Sequence, residues 1–257
     1  MTTRVALVTG GSRGIGRAIA LALAREGLAV AVTARRLDDA ANTVAEARAL
    51  GGRAHAVALD VADPASIEAG VARAVDALGA VDVLVNNAGI AESAPFGQTT
   101  PELWQRHFRV NVDGPYRLTR AVLGGMLTRG WGRVINVASQ AGLVGAPYIT
   151  AYTASKHALV GLTRALATEV GGRGVTVNAL CPGFTATDIV WNGARNIVAK
   201  TGRSFEDAVA SLARLNAGGR LLEPDEVAEA AVRLLGDDIT NGEAVVLDGS
   251  APARRPR

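Results

Sequence analysis

The chain contains one cysteine, Cys181, which excludes an intrachain disulfide framework. Its three histidines, His55, His107 and His157, are far apart in sequence and form no metal-ligand spacing, so no metal is expected. Aromatic residues make up only 4% of the chain, and the core must therefore be built from Ala, Val, Leu and Ile. No apolar run reaches the roughly 20 residues that a membrane-spanning helix needs. The N-terminus lacks the pattern of a secretory signal. These absences point to a soluble, cytoplasmic protein with no membrane partner. An excess of charge of one sign is also missing. There are 27 basic and 24 acidic residues, but three of the arginines, Arg254, Arg255 and Arg257, sit in the last seven positions. The body of the chain is then balanced, with no basic stripe for a phosphate backbone and no nucleic-acid partner expected. The tail at 251–257 reads as a disordered end.

What is present is alternation. A length of 257 residues fits one large α/β domain as well as two small ones. Short apolar runs at 4–9, 28–34, 53–59, 81–85, 133–139, 175–181 and 243–247 read as strands. Helical patterns lie between them, including a long helix expected from Pro101 to about Thr128 and another from Thr150 to Val170. Near-continuously apolar strands that alternate with helices predict a parallel sheet covered on both faces. No linker or repeat divides residues 1–250, so a single domain is expected. One stretch, 188–216, breaks the alternation and reads as one or two short helices. In such a sheet the site is expected at the carboxyl ends of the strands. Thr9, Ala34, Asp60, Asn86, Ser139 and Pro182 all fall there.

At the first of these ends the run TGGSRGIG places Gly10, Gly14 and Gly16 between a strand and a helix, with Ser12, Arg13 and Ile15 among them. Glycines there let backbone approach a pyrophosphate, and the helix N-terminus favours its negative charge. A plain glycine-rich turn is the alternative. After the second strand, Ala34 stands where an acid would bind a ribose hydroxyl, and Arg35 and Arg36 follow. Arg35 with Arg13 suits a 2′-phosphate; surface arginines are the alternative. Asp60 and Val61 follow the third strand. Asn87, Ala88 and Gly89 follow the fourth, where each could equally be turn chemistry.

Tyr152 and Lys156 are four residues apart, one turn apart on one helix face. At ~4–5 Å and an effective dielectric of ~20, an ammonium attracts a phenolate by roughly 3–4 kcal/mol. That lowers the phenol pKa by about two and makes Tyr152 a general acid/base near neutrality. Ser139 closes a strand and can hydrogen-bond the oxygen whose charge changes.

With TGGSRGIG, NNAG, Asn111, Ser139, YTASK and NALCPGFTATD in this order, the chain resembles the classical short-chain dehydrogenase/reductase family. The resemblance covers residues 5–249. It implies a single-domain Rossmann fold, with a seven-stranded parallel sheet in the order 3-2-1-4-5-6-7, and a nicotinamide cofactor. It makes Tyr152 the proton donor or acceptor and Lys156 the group that lowers its pKa and holds the nicotinamide ribose. Ser139 would hold the substrate carbonyl, and the backbone carbonyl of Asn111 would hold a water leading to Lys156. Pro182, Gly183, Thr185 and Thr187 would meet the carboxamide end. Several stretches look like bacterial 3-oxoacyl thioester and polyketide ketoreductases. The expectation is an NADP(H)-dependent ketoreductase acting on a small-molecule ketone, with NAD(H) as the alternative cofactor. An NAD-dependent secondary-alcohol dehydrogenase and a non-catalytic redox sensor are the competing readings. A substrate lid at 188–216 is expected, with a fixed helical excursion as the alternative. A homotetramer is expected as well, packed through Gly124, Gly125, Ala158 and Gly161.

Overall fold

The computed structural model describes residues 3–250; the expectation made for the basic tail at 251–257 lies outside the described residues. The strands are β1 (Val5–Val8), β2 (Ala29–Ala34), β3 (Ala54–Ala58), β4 (Val81–Asn86), β5 (Gly132–Val137), β6 (Val175–Pro182) and β7 (Ala244–Leu247). The helices are α1 (Gly14–Arg25), α2 (Leu37–Ala49), α3 (Pro64–Leu78), α4 (Pro101–Phe108), α5 (Gly114–Arg129), α6 (Thr150–Val170), α7 (Asp188–Thr201), α8 (Phe205–Ala213) and α9 (Pro224–Leu235). All strand pairs are parallel and the sheet runs β3-β2-β1-β4-β5-β6-β7, as the sequence predicts.

Both faces of the central sheet are buried, which is why its strands are mostly apolar and why buried polar residues in them, such as Asn86 and Asn136, are paired. Ala6, Val8, Val30, Val32, Val83 and Val85 pack under α1, α2 and α9. The residues between them, such as Leu7, Ala31 and Leu84, pack under α3, α5 and α6. Small and branched side chains fill this space, so few aromatics are needed. Helix starts follow local chemistry. Asp63 caps α3 by accepting from Ala65 N, with Pro64 at the first helical position. Thr100 and Pro101 do the same for α4.

The long helix expected over 101–128 is not continuous. α4 ends at Phe108, residues Arg109–Asp113 form one wider π-helical turn, and α5 begins at Gly114. Pro115 supplies the reason. It has no N–H for the carbonyl four residues back, and its ring crowds that carbonyl. The carbonyl belongs to Asn111. The turn widens there, and single π turns inside helices often mark functional positions.

A buried polar chain ties the central strands to the helices beneath the site. Asn86 Nδ2 donates to Thr119 Oγ1 (3.2 Å) and to Asn136 Oδ1 (2.8 Å). Asn136 Nδ2 donates to Thr163 Oγ1 (2.9 Å), which donates to Leu159 O (2.8 Å). Removing one member strands its neighbours without water. Asn136→Ala should therefore cost about 2–4 kcal/mol in urea unfolding. A loss below about 0.5 kcal/mol, the range of an ordinary surface substitution, would contradict that account.

Candidate active site

The glycine loop is fastened to β4 through Thr9. Its hydroxyl accepts from Asn87 N (2.9 Å) and Ala88 N (3.0 Å) and donates to Val85 O (3.2 Å). Asn87 Nδ2 donates to Thr9 O (2.9 Å) and Gly10 O (3.2 Å). The space around Gly16 admits nothing larger than hydrogen. A Cβ there would lie 2.3 Å from both Asn87 Nδ2 and Gly10 O. Gly10 turns the chain at φ +61°. Arg13, the residue before α1, makes no side-chain cap, so the first N–H groups of that helix face the cleft without one. This cradle fits the pyrophosphate of the expected dinucleotide. Ser12 and Ile15 line it partly buried.

The arginines are placed as the sequence expects, with one addition. Arg35 and Arg36 are exposed at the end of β2, where Gly11 N donates to Thr33 O (2.9 Å) and draws the glycine loop alongside. Ala34 is buried, and no carboxylate replaces it. Arg13, however, pairs with Asp188 at the start of α7, Nε to Oδ2 3.2 Å, both largely exposed. A 2′-phosphate that takes Arg13 must compete with that carboxylate. Asp60 accepts from Ala62 N (2.9 Å) in a local turn, and Val61 is buried beside it.

Ser139, Tyr152 and Lys156 come together. Ser139 ends the run from β5, and its Oγ accepts from Ala141 N (3.1 Å). Lys156 is buried, its Nζ donating to Val137 O (2.8 Å) and standing 5.8 Å from the centre of the Tyr152 ring. A Cβ on Gly89 would lie 3.5 Å from that Nζ, which brings the NNAG turn to the same point. Asn111 is fully buried. Its side chain accepts from Ile90 N (3.0 Å) and donates to Ile90 O (3.0 Å) and Ser155 Oγ (3.0 Å), while Pro115 leaves its carbonyl without the regular helical donor.

The protonation states differ from the sequence expectation. Burial pushes the Tyr152 phenol up, and a hydrogen bond with Ser139 only partly offsets it. The pull of Lys156 does not outweigh that burial. The ammonium is turned to the Val137 carbonyl, and burial depresses its own pKa to about 8. Burying a phenolate costs more than a nearby ammonium returns here. At neutral pH Tyr152 is a phenol that can give a proton, and Lys156 is mostly charged.

Beyond β6, Pro182 is the last strand residue, and Gly183 N donates to Leu247 O (2.8 Å). Thr185 is buried, with its hydroxyl on Gly183 O (3.1 Å), so it braces this turn. Thr187 Oγ1 donates to Thr185 O (3.1 Å), and its methyl group faces the glycine loop, 3.2 Å from where a Cβ on Gly14 would sit. Cys181 is buried under Ser139 among apolar neighbours, and burial pushes its thiol up, as fits a structural residue. The sequence places Thr9 at the site edge but does not show its role as the bracket between the glycine loop and β4, and it gives no site role to Asp188 or His107. His107 carries no motif.

A parallel sheet with a glycine cradle at its first strand and a Ser–Tyr–Lys set at its fifth strand and sixth helix defines a dinucleotide-dependent oxidoreductase. Residues 4–197 match the short chain dehydrogenase family model, and the chain belongs to that family. A 3-oxoacyl-[acyl-carrier-protein] reductase of Synechocystis sp. is 44% identical over 193 residues, 75% of this chain and 78% of the relative. A cyclohexanol dehydrogenase of an Acinetobacter species is 36% identical over 250 residues, 96% and 94% of the two chains. The crystal structure of a single-residue variant of actinorhodin polyketide ketoreductase with NADPH superposes with a TM-score of 0.92. It is 39% identical, covering 97% of this chain and 98% of that one.

Lys156 generates a stability prediction. Its folded pKa of about 8 lies below its ordinary value of 10.5. Between these values the unfolded chain binds more protons at this site, so the contribution of Lys156 to stability should rise with pH there, by at most about 3 kcal/mol, while the raised Cys181 thiol works the other way above pH 9. Below pH 8 the full penalty of the buried charge applies. Lys156→Met should then be more stable than the native chain at pH 7, by roughly 1–2 kcal/mol because Val137 O loses its donor, and should lack turnover. A native stability that does not rise from pH 8 to 10.5 relative to that of Lys156→Met would contradict this.

Proposed function

We propose that the chain is an NADP(H)-dependent ketoreductase, acting on a 3-oxoacyl thioester or a polyketide-type ketone. The observation that carries this is the grouping of Ser139, Tyr152 and the buried Lys156 at the sheet edge that also holds the glycine cradle and Arg35. When bound, NADPH supplies a hydride to the carbonyl carbon. Gly10, Gly14, Gly16 and the start of α1 would hold its pyrophosphate. Arg35 and Arg13 would take its 2′-phosphate. Asp60 and Val61 would border the adenine, and Asn87, Ala88 and Gly89 the sugar. Ser139 orients the ketone oxygen, and Tyr152 gives that oxygen its proton as charge develops. Lys156 holds the ribose hydroxyls and, with its charge, makes the tyrosinate left behind less costly. The Asn111 carbonyl would hold a water through which a proton returns towards Lys156.

The names of the relatives favour this substrate class. The cyclohexanol dehydrogenase favours the second reading, an NAD-dependent secondary-alcohol dehydrogenase. A redox sensor without turnover would not need Ser139, Tyr152 and Lys156 together.

We further propose that residues 1–250 act as one unit with 188–216 as its lid. α7 and α8 pack on each other through Ala194 and Ala208 and through Trp191 against Phe205, 6.4 Å between ring centres. Asn216 anchors the far end, accepting from Phe184 N (2.8 Å) and donating to Phe184 O (2.8 Å). A self-packed helix pair with a fixed root suits a segment that opens and closes. No helix among the described residues is long and apolar enough to cross a membrane, and a cytoplasmic location is proposed. A homotetramer is proposed too, since Gly124, Gly125 and Gly161 lie exposed on α5 and α6 and allow close approach of a second copy.

The test is cofactor oxidation over a panel of ketones and 3-oxoacyl thioesters, with both cofactors. The native chain should favour NADPH in kcat/KM by roughly 10²-fold, from charge-assisted contacts to the phosphate. Ala34→Asp with Arg35→Ala should swing towards NADH. A native preference for NADH would overturn the cofactor assignment, and no turnover with any ketone would favour the sensor.

A further inference from the structure

Beyond Gly89 the chain runs through residues 90–94 without regular structure, yet alternate residues are pinned. Ile90 is held at both its N–H and its carbonyl by Asn111. Glu92 N donates to His107 Nε2 (3.1 Å), while the Glu92 carboxylate pairs with Arg106 (2.6 Å). Ala94 N donates to Tyr148 O (2.8 Å), and Tyr148, at φ +68°, is the only non-glycine residue in the left-handed region among the described residues. A spacing of two is that of an extended ribbon. This ribbon leaves the NNAG turn that faces Lys156, so it walls the site.

His107 is fully buried and has both ring nitrogens engaged. Nδ1 meets Leu103 O at 2.8 Å. A carbonyl can only accept and a backbone N–H can only donate. The two bonds together therefore require a neutral ring that carries its proton on Nδ1. The same ring meets the Tyr152 ring edge-on, with centroids 6.4 Å apart and planes at 70°. One imidazole thus touches the ribbon at its midpoint and the reacting tyrosine.

We propose that His107 is a positioning residue, a neutral Nδ1–H imidazole that holds the 90–94 ribbon and the Tyr152 ring in fixed relation. It moves no proton itself. The proposal rests on the reading of Tyr152 as the proton donor. His107 lies four residues before Asn111, so the same stretch of helix and π turn grips the ribbon at Ile90 and again at Glu92.

Two measurements test it. In the native protein labelled with ¹⁵N-histidine, the His107 Nε2 resonance should be that of an unprotonated acceptor at neutral pH. A protonated Nε2 would overturn the proposal, and this result needs neither substrate nor variant. In kinetics with NADPH and ethyl 3-oxobutanoate, a minimal 3-oxoacyl ester, His107→Leu should lower kcat/KM by about 10- to 100-fold through the orphaned Glu92 N–H and the lost edge contact with Tyr152. The loss should fall mainly in kcat, with NADPH affinity within about twofold of native by the same argument. His107→Gln, whose amide offers one donor and one acceptor, should recover most of it. Equal rates for His107→Leu and native, or a Gln variant as slow as Leu, would overturn the proposal. Should His107→Leu fail to fold, the ring-nitrogen measurement and the Gln variant still decide. A native protein that turns over no ketone but shows the expected tautomer would count against the ketoreductase reading and not against the geometry.

Discussion

The buried ammonium of Lys156 is the interaction on which the site depends. It sits inside the protein, and no carboxylate among the described residues acts on it. Burial alone depresses its pKa to about 8, so the fold carries a cost for keeping it charged at neutrality. The Val137 carbonyl at the end of β5 takes one of its protons. The rest of its reach is directed at the NNAG turn and Tyr152. The sheet, the glycine cradle and the π turn together hold a cation beside the phenol, where the proposed nicotinamide ribose would meet it. A site that traded this charge for an apolar residue would gain stability and lose its chemistry.

Tyr152 completes the arrangement from the opposite direction. Burial keeps its proton on, and Ser139 keeps its oxygen in contact with a hydroxyl. A phenol held in its protonated form suits reduction of a ketone, in which the oxygen must gain a proton. In the proposed transfer Lys156 would act on its product, when negative charge appears on Tyr152 and an ammonium within one helical turn becomes valuable. The two residues thus divide the work between the state before transfer and the state after it.

Much of this was legible in the sequence. Continuous apolar strands and regular alternation predict the parallel sheet, and glycine placed between the first strand and helix predicts the cradle. Spacing placed Tyr152 and Lys156 on one face. Other features were not legible because they depend on burial or on distant partners. The Tyr152 pKa was expected to fall, since spacing reports a neighbouring charge but says nothing of desolvation. The helix over 101–128 read as continuous although Pro115 was in plain view; its effect falls four residues back, on Asn111. Asp188 reads as the first residue of a helix, and only the folded chain brings it to Arg13. His107 has no motif, and its two backbone partners lie 4 and 15 residues away.

The division of work between Tyr152 and Lys156 is tested most directly by single-turnover hydride transfer in Tyr152→Phe, measured alongside NADPH binding. The substitution removes one hydroxyl and leaves the ring against His107 and the ammonium in place. The account predicts that transfer slows by about 10²–10⁴-fold while NADPH binds as in the native chain. A variant that keeps most of its transfer rate would contradict the assignment of Tyr152 as proton donor. One that loses NADPH binding in proportion would show that the hydroxyl serves the cofactor and not the ketone.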